Sequence, residues 1–211
     1  MQLPLIAAIV ALTTLGSHAA TTYSGTWSVS TAIPDYDDPG LSSTKSLAVS
    51  GTATITSVTV GLTFTGGWNG DLYAYLVHDG QISILLNRAG RTLGNPDGFS
   101  SSGMTISLTD AAPLDIHTAL GDVGSPTGTF QPDGRTTDPY FVLNTDARTN
   151  LLSVFDGFDA AGNWTLFVAD QASGEVSTLQ SWSLNVTTVP EPSILSLTLL
   201  PLAFLLAKRK R

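Results

Sequence analysis

The chain has 211 residues, nine Lys and Arg against seventeen Asp and Glu, and no cysteine. A length of this order accommodates one domain or at most two small ones, the missing cysteines exclude a disulfide framework, and the acidic balance repels a phosphate backbone, which argues against nucleic acid as a partner. The charge is also uneven. Four of the nine basic residues are Lys208, Arg209, Lys210 and Arg211, so everything before that tail carries five basic groups against seventeen acidic ones. Only 12% of residues are charged, which suits an exported all-β protein better than a cytosolic helical enzyme.

The chain opens MQLPLIAAIVALTTLGSHA. An apolar run from Leu3 to Leu15 leads into Ser17-His18-Ala19, small residues at the two positions a signal peptidase reads, so residues 1–19 form an export signal with cleavage between Ala19 and Ala20. No Lys or Arg precedes the run, which leaves the amino terminus as its positive charge.

From residue 25 to 187 the dominant signal is alternation of apolar and polar residues. In TSVTVGLTF, Val58, Val60, Leu62 and Phe64 share one face; NWTLFVAD groups Trp164, Leu166 and Val168; SWSLNVT groups Trp182, Leu184 and Val186. Period-2 patterns with one polar face predict antiparallel strands lying on a core. Further strands are expected at 25–30, 45–50, 71–77, 81–86, 104–109, 140–143 and 151–155. Gly66-Gly67, Asp79-Gly80, Asn95-Pro96-Asp97-Gly98, Asp133-Gly134, Ala161-Gly162 and Ser173-Gly174 supply turns between them. YAYLV-HDGQ-ISILL reads as a hairpin closed at Asp79-Gly80. The acidic, turn-rich segment 110–138 is expected as a loop at one end. About nine or ten short strands imply an all-β, jelly-roll-like antiparallel β-sandwich over residues 20–188, with hydrophobic helical segments at both termini.

Several of these strands carry a resemblance. Trp68, Gly70, Asp71 and Leu72 form a W-x-G-D-L strand entry. Gly162, Trp164, Leu166, Val168 and Asp170, followed by Gly174, form a G-x-W-x-L-x-V-x-D strand with its glycine turn. Leu179, Ser181, Trp182, Ser183 and Leu184 close with L-x-S-W-S-L. Together, from Ile33 to Val186, these are similar to the P domain (Homo B domain) that follows the catalytic domain of proprotein convertases and bacterial subtilisin-like proteases. The resemblance implies a jelly-roll-like sandwich; the stretch 136–147 departs from it by its length.

The chain ends Pro190-Glu191-Pro192, an uncharged apolar segment at 193–207, then Lys208-Arg209-Lys210-Arg211. As a helix the segment would reach about 22 Å, short of a hydrocarbon core near ~30 Å, and Pro201 interrupts it. Triplet, apolar segment and basic cluster in this order at 189–211 resemble the PEP-CTERM sorting signal of exopolysaccharide-producing Gram-negative bacteria. The resemblance implies recognition and cleavage by an exosortase, with the basic cluster held on the cytoplasmic side during transient insertion of 193–207 in the inner membrane.

Little else promises chemistry. Past the export signal only His78 and His117 remain. There is no G-x-S-x-G to pair with a histidine, two histidines without cysteine make a poor zinc site, and Gly66-Gly67-Trp68-Asn69-Gly70 lacks the lysine and helix of a phosphate cradle. His78, beside Asp79-Gly80, is expected as a solvated turn residue. Trp68, Trp164 and Trp182 are expected in or near the core. Asp71, Asp110 and Asp170 flank strands, and Asp35, Asp37 and Asp38 crowd one turn; hard carboxylate oxygens of this kind suit calcium, although Asp also serves simply as turn and cap chemistry. Tyr73 and Tyr75, opposite Leu72, Ala74 and Leu76, are the pair that would offer a sugar a stacking surface. The expectation is therefore a non-enzymatic protein, secreted or at the cell surface, with a structural or adhesive role and extracellular polysaccharide as its partner. Two alternatives stand beside it: a carbohydrate- or protein-binding module using the Tyr73/Tyr75 face or segment 110–138, and a P-domain partner acting in trans on a subtilisin-like serine protease.

Overall fold

The computed structural model describes residues 19–36 and 39–190. The segment before Ala19 expected as an export signal, the acids Asp37 and Asp38, and Glu191, Pro192, the 193–207 segment and Lys208 to Arg211 lie outside the described residues, as do the expected terminal helices. Among the described residues no helix is long and apolar enough to cross a membrane.

Two sheets face each other across one core. The first has five strands in the order β1 (Thr21–Ala32), β9 (Ser177–Pro190), β3 (Ala53–Gly66), β6 (Met104–Thr109), β7 (Thr127–Phe130). The second has four: β2 (Leu41–Leu47), β8 (Gly162–Asp170), β4 (Leu72–His78), β5 (Gln81–Asn87). All neighbours are antiparallel except β6 and β7, which run parallel. The alternation fills the core as expected. Val58, Val60, Leu62 and Phe64 of β3 and Trp182, Leu184 and Val186 of β9 point inward from one sheet. Leu72, Ala74 and Leu76 of β4 and Trp164, Leu166 and Val168 of β8 meet them from the other. The β4–β5 hairpin closes where predicted: His78 pairs with Gln81, and Asp79 and Gly80 both adopt positive φ (46° and 76°), the pair of left-handed residues a tight right-twisting hairpin requires.

The outward face of the five-stranded sheet is unusual in composition. Pairing brings Thr26, Ser183, Gly61, Ser107 and Thr129 into one row across the strands, and Ser28, Ser181, Thr63, Thr105 and Thr127 into the next. A third row holds Ser24, Asn185, Thr59 and Thr109. None of these positions is charged. The β-branched Thr favours strands, so this face suits the sheet without adding to its core.

Four local expectations are corrected. Residues 140–143 form a turn, because the Asp138 carboxylate accepts the Tyr140 amide (2.8 Å) and the Asp138 carbonyl accepts those of Phe141 and Val142. Leu152–Phe155 is a 3₁₀ turn in which Leu152 and Phe155 are buried, an i, i+3 spacing that fits three residues per turn. Segment 110–138 is not a free loop. It contains a helical turn, α1 (Ile116–Ala119), and strand β7, and it buries Ile116, Leu120 and Phe130. His78 is not solvated: its ring stacks on Trp164 (3.8 Å, 1° between planes), and its two nitrogens face the carbonyls of Asn163 (3.0 Å) and Asp159 (2.7 Å).

Turn chemistry is tightest where β3 ends. Gly67 sits at φ +57°, and a Cβ there would lie 1.9 Å from Ser177 Oγ and 2.7 Å from Ser177 N; at Gly80 (φ +76°) a Cβ meets nothing. Gly80→Ala is therefore expected to cost about 1 kcal/mol through its backbone alone. Gly67→Ala adds overpacking, a further ~1–3 kcal/mol. Urea unfolding of the two variants measures the difference, and equal costs would contradict the crowding seen at Gly67.

Candidate functional site

The outward positions of β4 and β8 build an aromatic surface. Leu72, Ala74 and Leu76 face the core, so Tyr73 and Tyr75 face outward, half-buried. On β8 the same alternation turns Phe167 outward, and register sets it directly opposite Tyr75. The two rings stack (4.7 Å, 18°), while Tyr73 meets Tyr75 edge-on at 5.8 Å. The turn between β1 and β2 closes over Phe167: a Cβ on Gly40 would lie 2.8 Å from the ring. Tyr36 from that turn, 67% exposed, joins Pro139, Asp170 and Gln171 in lining a cleft of about 530 Å³ over these rings. Burial pushes the Tyr73 phenol up, with the neighbouring Tyr75 adding to it. Beyond Pro139, Tyr140 and Phe141 are exposed and meet edge-to-face at 5.1 Å. Ring faces flanked by a few polar groups are what a pyranose stacks on.

Tyr73 and Tyr75 were legible in the sequence. Phe167 was visible as the outward member of its strand, yet only register assigns it to Tyr75. Tyr36 and Pro139 come from loops and carried no signal.

The carboxylates separate. Asp110, at the end of β6, accepts the amides of Leu152 (3.0 Å) and Ser153 (2.7 Å), so both oxygens cap the 3₁₀ turn. Asp71 and Asp170 lie together at the other end of the sandwich, where Asp170 pairs in register with Leu72 and the Gln171 amide donates to the Asp71 carbonyl (2.8 Å). Arg88 Nη2 donates to Asp71 Oδ1 (3.3 Å), and its Nε to the Gly70 carbonyl (3.0 Å). This explains the strand-entry motif. Gly70 is required because a Cβ would strike Asp97 O and Phe99 N (2.6 and 2.5 Å), Asp71 anchors the buried Arg88, and Leu72 enters the core. Trp68, expected in or near the core, is instead 41% exposed, because the turn after Gly67 directs it past the end of β3. The three aspartates are therefore not brought to one point. Among the described residues no three His, Asp or Glu converge as a metal site.

Asp170 is 2% exposed, and its Oδ2 has no hydrogen-bond partner. Burial, opposed by the Ala172 amide and reinforced by the charges of Asp71 and Asp35, raises its carboxyl from 3.8 to about 6. Asp71 is raised as well, by burial first, with Arg88 opposing.

His117 is fully buried, with Nδ1 2.8 Å from Asp133 Oδ2 and Nε2 2.9 Å from the Arg91 carbonyl. The pair has the carboxylate of a catalytic triad, but the nitrogen that would serve a serine faces a carbonyl instead. Arg135 joins it, bonding Asp133 Oδ1 (3.1 Å) and Asp115 Oδ2 (2.8 Å). Burial alone would lower Arg135; the hydrogen bonds and charges of those two aspartates outweigh it and push the guanidinium up. Arg148 adds contacts to the Asp133 and Pro132 carbonyls (2.9 and 2.7 Å). The network holds segment 110–138 in place.

Fold and surfaces define an all-β sandwich with an aromatic cleft and two buried polar anchors. The family model of the proprotein convertase P-domain matches residues 124–186, from just before β7 through Val186 of β9. No curated protein matches the sequence. Two of the solved structures the chain is similar to come from one organism. One is a serine protease of Aeromonas sobria in complex with a chaperone (20% identity, TM-score 0.47, 82% of this chain and 27% of that one). The other is the serine protease of the same organism (19% identity, TM-score 0.45, 81% and 27%). The chain thus spans about a quarter of the length of either.

Because the carboxyl of Asp170 titrates higher in the folded state than in the unfolded chain, the stability it allows is fully present below pH 3.8 and is lost as pH rises through about 6. The ionised carboxylate then costs the folded state about 3 kcal/mol at pH 7.5. Asp170→Asn is expected to raise the melting temperature at pH 7.5 in EDTA and to flatten the stability change between pH 4 and 7. A variant less stable than the parent at pH 7.5 would contradict this.

Proposed function

We propose that the chain is an exported, non-catalytic β-sandwich with an adhesive or structural role at the cell surface, or within the exopolysaccharide matrix, of a Gram-negative bacterium. The aromatic cleft carries this reading. Tyr73 and the stacked Tyr75–Phe167 pair offer a rigid aromatic surface at low entropic cost, Tyr36 and Pro139 line the same cleft, and the neutral hydroxyl rows of the other sheet leave the rest of the surface compatible with a hydrated glycan. The occupation of both nitrogens of His78 and His117 by carbonyl or carboxylate partners supports the absence of nucleophilic catalysis. Delivery follows from the two termini: signal peptidase removes residues 1–19, and an exosortase-type enzyme reads Pro190, Glu191 and Pro192 while 193–207 and the basic residues Lys208 to Arg211 hold the chain in the inner membrane.

A second reading, a P-domain partner assisting a subtilisin-like serine protease in trans, is favoured by the family match over 124–186. Glycan-array binding separates the two. Under the first reading a neutral or acidic bacterial polysaccharide is retained, and Tyr73→Ala with Tyr75→Ala weakens it by at least ~10-fold, the scale of two lost stacking contacts. Retention unchanged in that variant removes the cleft from the reading; no retention, with a serine protease co-purifying, favours the second.

The sorting scheme is checked by the mass of the protein recovered from the natural host. It should begin near Ala20 and end close to the Pro-Glu-Pro triplet, without Lys208 to Arg211. Extracellular material that retains those four residues would sink the scheme.

A further inference from the structure

Two open sheets leave four edge strands among the described residues, β1 and β7 on one sheet, β2 and β5 on the other. An edge strand turns the amide and carbonyl of every second residue away from its one neighbour, which makes it a template for a further strand unless something blocks it. Three of the four edges are blocked. Along β5 the chain between Asp133 and Asn150 takes up outer groups: the Ile84 amide donates to the Asn150 carbonyl (3.0 Å), and the Asp133 and Gly134 amides donate to the Leu85 and Ile84 carbonyls (3.1 and 2.9 Å). β2 carries Lys45 at the inward parity of Ser43, which accepts the Trp182 indole N–H from the opposite sheet. A charge turned inward on an edge strand deters pairing. β7 has four residues, too few for a ladder of useful length.

β1 has none of these guards over most of its length. It contains no charged residue and no proline, and its register on β9 is unbroken from Thr21 to Ser28, before the bulge. The stretch Thr22-Tyr23-Ser24-Gly25-Thr26-Trp27-Ser28 is also a palindrome in chemical type about Gly25: hydroxyl, aromatic, hydroxyl, glycine, then hydroxyl, aromatic, hydroxyl. Antiparallel pairing with a second copy of itself, on a two-fold axis at Gly25, sets Tyr23 opposite Trp27 of that copy, Ser24 opposite its Thr26 and Thr22 opposite its Ser28. Aromatic pairs and hydroxyl pairs directly across antiparallel strands are favourable. Tyr23 and Trp27 are only partly buried on their own edge, so ring surface remains for a second copy to cover. Glycine at the centre lets the Trp27 indole lie back along the strand, where a Cβ would strike it. Charge points the same way. Before the basic tail, five basic groups stand against seventeen acidic ones, so two copies repel through most of their surface and meet with least repulsion along a neutral edge.

We propose that the chain forms a two-fold dimer by antiparallel pairing of β1 with β1 of a second copy, joining the two five-stranded sheets into one. The contact is isologous and closes on itself. One strand pair is small beside the ~1,600 Å² of a standard stable interface, so monomer and dimer exchange, and high local concentration favours the dimer. Each copy brings its own aromatic cleft, which gives the pair two points of attachment to a polymer. The dimer itself does not depend on what that cleft binds.

Sedimentation velocity of the exported chain purified from its host, over a concentration series, tests the pairing. A reversible monomer–dimer equilibrium is expected. Ser24→Lys with Thr26→Lys places like charges directly opposite across the axis and should weaken dimerisation ~10-fold. Ser24→Asp with Thr26→Asp should do the same, and mixing the lysine and aspartate variants should restore a heterodimer. Both positions are exposed on the outward face, so these variants keep the fold, which a melting temperature near the parent's verifies. The chain has no cysteine, so Ser24→Cys mixed with Thr26→Cys reads the register independently: on mild oxidation the mixture should cross-link faster than either variant alone. A monomer at every concentration would overturn the proposal, as would a dimer that survives the lysine variant or lysine and aspartate variants that stay apart when mixed. Oligomers that grow past two copies, which an isologous contact forbids, or equal cross-linking rates would overturn it as well.

Discussion

The fold turns on β9 lying between β1 and β3. It is the last described strand of the chain, yet it is an interior strand of its sheet, paired with β1 from Thr21 to Ala32 and with β3 from Ala53 to Gly66. β1 has no other neighbour in its sheet, so the first strand waits on the last. Closing contacts so distant in sequence costs loop entropy before any of it is returned. What offsets it is concentrated on β9 itself. Trp182 packs 4.5 Å from Trp27 and donates its indole N–H to Ser43 of the opposite sheet (3.0 Å), while Leu184 and Val186 fill the layer below. A sandwich closed in this way is expected to lose its two sheets together, and it achieves closure without cysteine.

Buried polar groups then decide what the ends of the sandwich look like. At one end Arg88 binds the strand-entry turn through Gly70 and Asp71; along the side, His117, Asp133, Arg135 and Asp115 cross-link segment 110–138 within itself, and His117 and Arg135 tie it to the Arg91 and Asn144 carbonyls. Such groups are costly to bury and more costly to leave half-paired, so their value lies in specifying one arrangement of loops that have few apolar residues. The Leu152 and Ser153 amides, donating to the Asp110 carboxylate, do the same for the 3₁₀ turn. The cost has not been eliminated everywhere. Asp170 remains buried with an unpaired oxygen beside the aromatic cleft.

The candidate sites were unequally legible. Tyr73 and Tyr75 stood out because period-2 alternation with Leu72, Ala74 and Leu76 assigns faces without knowledge of any partner strand. Phe167 needed the β4–β8 register, and Tyr36 and Pro139 needed loop paths, neither of which has a local signature. Histidine and tryptophan were misjudged in opposite directions. His78 neighbours a turn in sequence but faces the core because it is the last inward residue of β4, where Trp164 offers it a ring. Trp68 neighbours a strand but falls one turn beyond it. The P-domain resemblance drawn from Ile33 onward finds its match over the second half, 124–186, where the β8 and β9 motifs lie.

Local pattern was enough for the strand faces, the hairpin at Asp79-Gly80, the absence of disulfides and the apolar inner surface, because each rests on neighbours a few residues apart and on the steric preferences of single residue types. Closure of the two sheets settled the remainder: which strands are adjacent, that β7 joins parallel to β6, that Asp71 and Asp170 meet while Asp110 caps a distant turn, and that His117 finds Asp133. These outcomes follow from contacts between residues far apart in the chain, whose energies are set by burial and pairing, and no short stretch of sequence encodes them.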